Sequence, residues 1–394
     1  MTARLAIAAT IAMMAAGLDA RAEPYRLRAD ALASAQAPAG LLVLQADGQK
    51  GPFVAAEALI WLTGGVAGGG VGDAEGEDGQ AQALVMAVRA RRAGSEARLG
   101  RLVVTAGGLR PQHMDGAAGR VRLPRRFALE AFAGSPVAPG GEGRDWDWLA
   151  GGRASRSIGD WGSAGVAYLH RRDNGRVTTE EAAADAGVQA TEWLDLSGRA
   201  AMDLIHGGLA EGQATASART GAWRFEVYGT QRSAFRLLPA TSLFSVLGDS
   251  PSRRLATTTR WRAAPRLDLF ADAGALEAGG EWGELAAGRA TLRLDDRGAG
   301  ALGGEIRREG VPGASWTGLR GTARAPLIAG VGVALEGELA FPDQEDHVWP
   351  WGLLAVSRQL GDWEAAAALE ASSSPTEVYR IDALARLTWL WATR

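Results

Sequence analysis

Charged residues alternate with apolar residues along many segments of this sequence, and this spacing is its most informative chemical feature. In residues 331–341 the odd positions are apolar or glycine, whereas Glu336 and Glu338 occupy even positions. Residues 223–230 repeat the pattern with an arginine and a glutamate. Because successive side chains of a β-strand point to opposite faces, each segment has one apolar face and one face of carboxylates and guanidinium groups. The second face offers charges and hydrogen bonds to ions and hydrophilic solutes.

We interpret these charged faces, together with one polar segment, as the wall of an aqueous pore. Cations and anions are nearly balanced on them, which predicts no strong preference for either sign of ion. The alternative is that the charges form cross-strand pairs that hold the sheet, each contributing less than about 1 kcal/mol. The candidate pore-lining residues are Arg28, Asp30, Glu57, Arg89, Arg91, Arg110, Asp115, Arg126, Arg224, Glu226, Arg293, Asp295, Arg320, Arg324, Glu336 and Glu338.

The polar segment is residues 109–126, which carry the densest cluster of charged side chains. Two interpretations stay open. Either the segment folds into the pore as a constriction with Arg110 and Asp115 at its tip, or it is a solvated loop followed by a hairpin. A second segment, residues 237–247, is unusually apolar for a connection. Its interpretations stay open: it packs on the barrel rim, or it plugs or lines the pore, or it binds a partner. The last follows from the rule that exposed apolar patches mark interaction sites.

Catalytic and metal-binding chemistry has little support. Catalysis needs a nucleophile, a base and an orienting group within reach of one another, but the four histidines lie in separate segments. We therefore predict no enzyme. Residues 70–79 are rich in glycine and acids, yet their spacing matches no defined calcium loop, which favours a plain surface loop. The sequence has no cysteine, which excludes thiolate metal sites and haem attachment through CxxCH, and we predict no cofactor.

The elements that would carry these faces are long β-strands. The alternating segments run for about ten residues, as tilted membrane strands do (~9–11), whereas strands of soluble sandwiches average ~5–6. After the N-terminal region no apolar run reaches the length of a helical membrane span. Several tryptophans fall near predicted strand ends, where membrane interfaces favour amphipathic rings. They are Trp61, Trp223, Trp282, Trp316, Trp349, Trp351, Trp363, Trp389 and Trp391.

The connections predict a single transmembrane antiparallel β-barrel of about 22 strands, with 20 as an alternative and roughly 16 to 22 as the plausible range. An even number places both termini on the periplasmic side, where outer-membrane barrels have short turns. Long outside connections are expected near 64–81, 136–146, 172–186, 232–252 and 342–348, and tight turns at 92–95, 158–161, 219–222, 296–299 and 360–363.

Residues 1–22 have the three parts of a secretory signal peptide: Arg4, an apolar stretch over residues 5–18, and an Ala-Arg-Ala cleavage motif that ends at Ala22. We expect one outer-membrane barrel domain over residues 23–394, because no linker or charge block divides that stretch. The formal net charge of -3 argues against a nucleic-acid partner. Export with a membrane-type barrel predicts the outer membrane of a Gram-negative bacterium.

The last predicted strand carries a specific resemblance. Apolar residues alternate from Ile381 to Trp391, and the segment ends in aromatics close to the C-terminus, although residues 392–394 follow. This pattern resembles the assembly signal of bacterial outer-membrane β-barrel proteins, and the whole chain is similar to porin-like barrels with no assigned substrate. The resemblance implies contacts with outer-membrane lipid and lipopolysaccharide, and insertion by the barrel assembly machinery.

Two functions remain open from the sequence. The first is a porin-type channel that transports small hydrophilic solutes. The second is a structural barrel sheath whose lumen holds a separate periplasmic or cell-surface partner, such as a multihaem cytochrome that conducts electrons. The predicted first strand begins within about three residues of the cleavage site, and this disfavours TonB-dependent transporters, which carry a plug domain before the barrel.

Overall fold

The barrel is a single closed antiparallel sheet. The computed structural model describes residues 26–34, 39–50, 53–65, 80–137, 147–233, 251–278, 280–310, 315–344, 347–373 and 379–392. These residues form a sheet of 22 strands. The first strand pairs with the second on one side and with the last on the other, so the sheet closes. The predicted all-β barrel and its strand number are confirmed.

The strands follow one another around the barrel in chain order. They are β1 (Arg26–Ser34), β2 (Ala39–Lys50), β3 (Val54–Gly65), β4 (Gln80–Arg92), β5 (Ser95–Val104), β6 (Gln112–Leu123), β7 (Phe127–Pro136), β8 (Trp148–Ile158), β9 (Gly162–Asp173), β10 (Arg176–Thr191), β11 (Leu194–Asp203), β12 (Gly208–Thr220), β13 (Trp223–Arg232), β14 (Ser252–Ala264), β15 (Leu267–Ala278), β16 (Glu281–Arg293), β17 (Ala301–Gly310), β18 (Trp316–Pro326), β19 (Val331–Pro342), β20 (Trp349–Leu360), β21 (Trp363–Ser372) and β22 (Arg380–Ala392).

The longest connections of the barrel lie together at one of its two ends. At the end where β1 begins and β22 finishes, here called the near end, four of the five predicted tight turns are found, and the turn predicted at 296–299 lies within a longer connection, residues 294–300. The longest connections, from β3 to β4, β7 to β8 and β13 to β14, lie at the opposite, far end. The predicted signal peptide, residues 1–22, and the segments 70–79 and 237–247 lie outside the described residues.

One predicted connection is wrong. Residues 172–186 form the end of β9, a two-residue turn and the first part of β10, which is 16 residues long. The turn residues Asn174 and Gly175 have φ values of 52° and 72°. An Asn-Gly pair with both residues in the left-handed region is the preferred type I′ hairpin turn, because its twist matches that of the strands.

The strand register gives the barrel one polar face and one apolar face. Direct cross-strand partners share a face: Arg320, for example, pairs with Glu305 on one side and Glu338 on the other. The opposite face exposes large aliphatic side chains in mid-strand positions. These include Leu99, Val166, Leu255, Ile306, Leu335, Leu354 and Leu369. An exposed apolar band around a closed barrel is what the hydrocarbon of a membrane requires.

The tryptophans divide between the two faces. On the apolar face at the near end, Trp223 stacks on Trp261 and Trp363 stacks on Trp389, with ring centroids 4.8 and 5.9 Å apart. Trp282 and Trp391 share that face, in agreement with an interfacial aromatic belt. The prediction is wrong for four others, which share the polar face. They are Trp61, Trp316, Trp349 and Trp351.

Helices contribute little to the described structure. Pro124–Arg126 and Ile328–Gly330 are single 3-10 turns between strands. Among the described residues, no helix has the length and apolar character needed to cross a membrane.

Two adjacent leucines of β20 test the assignment of the faces. Leu354 pairs with Leu335 and Leu369 on the apolar face, whereas Leu353 pairs with Glu336 and Glu370 on the polar face. We expect Leu354→Arg to lower the free energy of unfolding in phospholipid vesicles by roughly 2–4 kcal/mol, because the charge would enter hydrocarbon. Leu353→Arg is the matched control and is expected to change it by much less. Urea titration of the refolded barrel measures both, and equal losses would contradict the assignment.

Candidate functional site: the concave wall

The connection between β5 and β6, residues 105–111, identifies the polar face as the inner one. A Cβ atom added to Gly107 would lie 2.2 Å from the Asp185 carboxylate of β10, and one added to Gly108 would lie 3.2 Å from the Ala200 carbonyl oxygen of β11. β10 is four strands from β6, or ~19 Å along the sheet at ~4.8 Å per strand. So short a loop reaches that far only across the concave side of a curved sheet. The face that carries Asp185 therefore lines the lumen.

Most of the candidate residues lie on this concave wall. The register puts them on one face with Asp185, through an unbroken series of cross-strand partners. They are Arg28, Asp30, Glu57, Arg89, Arg91, Arg224, Glu226, Arg293, Arg320, Arg324, Glu336 and Glu338.

The predicted inner position of Asp115 is wrong. Asp115 pairs with Arg101 of β5 and lies on the lipid-side face near the far end, where the Arg101 guanidinium donates to both carboxylate oxygens at 2.7 and 2.8 Å. The neighbouring Met114 takes the inner position instead and is fully buried. The apolar packing of the 105–111 loop explains the reversal, because here the inner face is covered and apolar. Asp115 therefore does not stand at the tip of a constriction beside Arg110.

Arg126 and Asp295 lie in near-end turns rather than on strands. Arg126 closes the 3-10 turn before β7 and donates to Asp160 at 2.9 Å. The carboxylate of Asp295 accepts hydrogen bonds from the backbone N–H groups of Gly300 and Ala299, which hold the pKa of Asp295 below its usual range. Both side chains organise turns at the mouth of the barrel.

Ion pairs cover much of the wall, and some of them skip a strand. Arg153 of β8 donates to Asp185 of β10 at 2.9 and 2.5 Å and passes over Gly165 of β9, where an added Cβ would lie 2.8 Å from the guanidinium. Arg98 of β5 reaches Glu57 of β3 at 2.6 Å in the same way. Such pairs hold the side chains flat against the wall. The structure thus contains the cross-strand pairs of the alternative interpretation, and the same residues face the lumen.

Arginine, an aromatic ring and a carboxylate recur as a unit along β13 to β19. Arg254 lies over the Tyr228 ring at 5.3 Å and donates to Asp272, and Arg289 lies over Phe270 at 5.5 Å and donates to Glu305. A third unit consists of Arg307, Trp316 and Glu338. Each ring and each carboxylate orients its guanidinium by a cation–π contact and a charge-assisted hydrogen bond.

Sequence reasoning missed the aromatic members of this wall. Trp351 of β20 donates its indole N–H to Glu370 of β21 at 2.8 Å on the concave side. Trp316 has the same parity in β18 as Arg320, and Trp351 pairs with Glu338. The alternation in the sequence already indicates the inner face for both tryptophans, whereas their positions near strand ends had suggested the membrane interface.

The 105–111 loop is held down by an apolar cluster and one ion pair. Leu109 packs with residues of β5 to β12 that are almost fully buried, among them Leu102, Leu149 and Leu169. Beside it, Arg110 donates its Nε–H to the Oε1 atom of Glu181 at 2.6 Å, and its backbone N–H donates to Oε2 at 3.3 Å. Arg110 is 8% exposed and Glu181 is 0% exposed. Each of the two interpretations of residues 109–126 holds in part: residues 109–111 fold inward, whereas residues 112–126 form β6 and the turn of its hairpin with β7.

Loss of one member of this pair would release the loop. Glu181→Leu leaves a buried guanidinium without its carboxylate, which costs roughly 3–5 kcal/mol. We expect faster amide hydrogen exchange across residues 105–111, measured by mass spectrometry.

The double variant Arg110→Met/Glu181→Leu removes both charges and is expected to restore most of the protection. Asp195→Asn is the matched control, because its ion pair with Arg219 is largely exposed and contributes less than about 1 kcal/mol. Unchanged exchange in Glu181→Leu would show that the pair does not hold the loop.

Comparisons with known proteins bear on the fold. No protein-family model and no curated protein matches this sequence. The translocation pore of the P pilus usher PapC is similar over 94% of this chain and 99% of that chain, with a TM-score of 0.51 and 10% identity. A chain of the E. coli P pilus tip assembly intermediate PapC-PapD-PapK-PapG matches over 93% of this chain and 60% of its own length, with a TM-score of 0.56 and 9% identity.

A BenF-like porin from Pseudomonas fluorescens Pf-5 aligns over 95% of this chain and 100% of that chain, with a TM-score of 0.45 and 10% identity. At these identities the similarities concern the fold alone. The closed sheet, the exposed apolar band and the polar lumen wall, together with the similarity to the two PapC structures, give this chain the fold of a porin-like, outer-membrane-type β-barrel.

Proposed function

We propose that the protein is a porin-type channel for small hydrophilic solutes. The observation that carries the proposal is the concave wall, which is lined by arginines and carboxylates from β1 to β22 in the described residues. Such side chains are compatible with water and unsuited to a dry core. A barrel of 22 strands encloses a lumen too wide for its own side chains to fill.

The arrangement of the charges supports weak ion selectivity. Arg320 lies against Glu336, Arg289 donates to Glu305 at 2.6 Å, and Arg98 donates to Glu57 at 2.6 Å. A cation held within hydrogen-bond distance of an anion presents a dipole to a passing ion, and the field of a dipole falls faster with distance than that of a single charge. We expect solutes of either sign to meet low electrostatic barriers.

The inward-folded loop of residues 105–111 supports the view that the lumen is narrower on one side. Residues 105–111 lie across the concave side of β8 to β11. Among the opposite strands, β19 to β21 have a group of small residues on the inner face, namely Gly332, Ala334, Ala355, Ala366 and Ala368. A solute path would therefore run along β18 to β22.

The outer face of the barrel indicates which molecules surround it. The exposed aliphatic band is suited to outer-membrane lipid, with lipopolysaccharide at the far end. Insertion by the barrel assembly machinery, and export through the signal peptide of residues 1–22, stay predictions.

Planar bilayers test the channel directly. The refolded protein is expected to give ohmic conductance and, under a salt gradient, a reversal potential close to zero, because cations and anions on the wall are balanced. Glu336→Gln/Glu338→Gln removes two carboxylates beside Arg320 and Arg307, so we expect the reversal potential to shift toward anion preference.

Leu335→Val, on the lipid side of the same strand, serves as the control and is expected to leave the reversal potential unchanged. A barrel that inserts but does not conduct would overturn the proposal. A partner protein that stays bound in the barrel during purification from native membranes would instead favour the sheath, whose lumen is filled by a separate protein.

A further inference from the structure

The inner wall of β18 to β22 contains a recess of about 700 Å³, a volume in the range of small-molecule sites. Two neighbouring rows of cross-strand partners form its floor. The first runs from Ala334 through Ala355 and Ala368 to Leu384. The recess exists because side chains this small leave a hollow between the longer side chains around them.

The second row adds polar groups at one end. It runs from Gly332 through Ser357 and Ala366 to Arg386, beside Leu32 of β1. Leu32 and Leu384 are each 39% exposed, so the apolar floor is open to the lumen. Open apolar surface inside a polar channel is costly in water and is stabilised when a solute covers it.

The charges that line the recess do not cancel. Arg386 is ion-paired with Glu364, so these two groups compensate each other. Arg324 lies at the other end, in the same row as Ala334. Its guanidinium donates to the carbonyl oxygen of Gly298 at 2.9 Å, and no carboxylate of the described residues lies within ion-pair distance of it. The recess therefore has an excess of one positive charge.

We propose that this recess binds small monoanions with an apolar body, such as short-chain monocarboxylates, and this inference rests on the proposed channel by naming a solute class for it. The Arg324 guanidinium takes the carboxylate, since its remaining N–H groups form a fork that matches the two oxygens. The hydrocarbon body covers the part of the floor next to Arg324, at Ala334 and Ala355.

The same chemistry excludes other solutes. A neutral amide of the same size leaves the guanidinium without a counter-charge, and an alkylammonium ion is repelled by it. Acetate pairs with Arg324 but has too little hydrocarbon to cover the floor. A dicarboxylate brings its second charge toward Glu364 or onto apolar surface. Only a molecule with one acidic end and one apolar end satisfies both parts of the recess.

Isothermal titration of the refolded full-length barrel in detergent micelles, with a micelle-only blank, tests the proposal. The probes are pentanoate, pentanamide and acetate. We expect pentanoate to bind more tightly than either of the others. Arg324→Gln is expected to weaken pentanoate binding by about tenfold or more, because a charge-assisted hydrogen bond is lost, while the weak binding of pentanamide stays unchanged.

Two further variants separate the floor from the charge. Ala355→Phe fills the hollow and is expected to abolish pentanoate binding, with Ala368→Leu as a milder substitute if the first fails to fold, as judged by heat-modified migration in gels. Arg199→Gln, on β11 across the barrel, is the matched control for loss of an inner arginine and is expected to bind pentanoate like the unaltered protein.

The titrations and the conductance measurements test the recess and the channel separately. Pentanoate that binds no better than acetate, or equal weakening by Arg324→Gln and Arg199→Gln, would overturn the recess as a site. Because titration does not depend on conductance, binding in a barrel that fails to conduct would refute the channel alone, and conductance without binding would refute the recess alone.

Discussion

The whole structure depends on the satisfaction of backbone hydrogen bonds in a medium without water. Inside hydrocarbon, an unpaired N–H or C=O group costs several kcal/mol, so a sheet that crosses a membrane cannot keep free edges. The pairing of β1 with both β2 and β22 removes them. Once the sheet is closed, the register of each strand determines which side chains face lipid and which face the lumen, because a slip of one residue would exchange the two faces.

Closure also gives the lumen wall its particular chemistry. Strands lie ~4.8 Å apart, so an arginine on one strand reaches carboxylates on the next strand or the one after. Arg153 crosses β9 to Asp185 only because Gly165 has no side chain in its path. A polar wall with paired charges stays hydrated without a strong field, which suits passage of solutes. Arg324 differs from these paired arginines, because no carboxylate of the described residues lies within ion-pair distance of it.

The 105–111 loop shows how packing overrides alternation. In most strands the apolar residues face lipid, and the pattern of residues 331–341 predicted the inner positions of Glu336 and Glu338 from spacing alone. Under the loop the inner face is apolar as well, since Met114, Leu102 and Leu169 form a covered cluster. Asp115 then lies on the outer face with Arg101. No local pattern distinguishes a covered inner position from a lipid-facing one, because both favour apolar side chains.

The sequence by itself determined the class of protein: period-two alternation, strand length and the spacing of turns are local properties, and they were enough for a closed barrel of 22 strands. It also contained the Asn174-Gly175 turn and the parity of Trp316, although these signals were misread. Only the tertiary structure decided that Arg110 pairs with Glu181, 71 residues away, and that small side chains of three neighbouring strands meet in one recess. Such contacts depend on the curvature and register of the closed sheet, which bring together residues whose separation in the chain has no periodic signature.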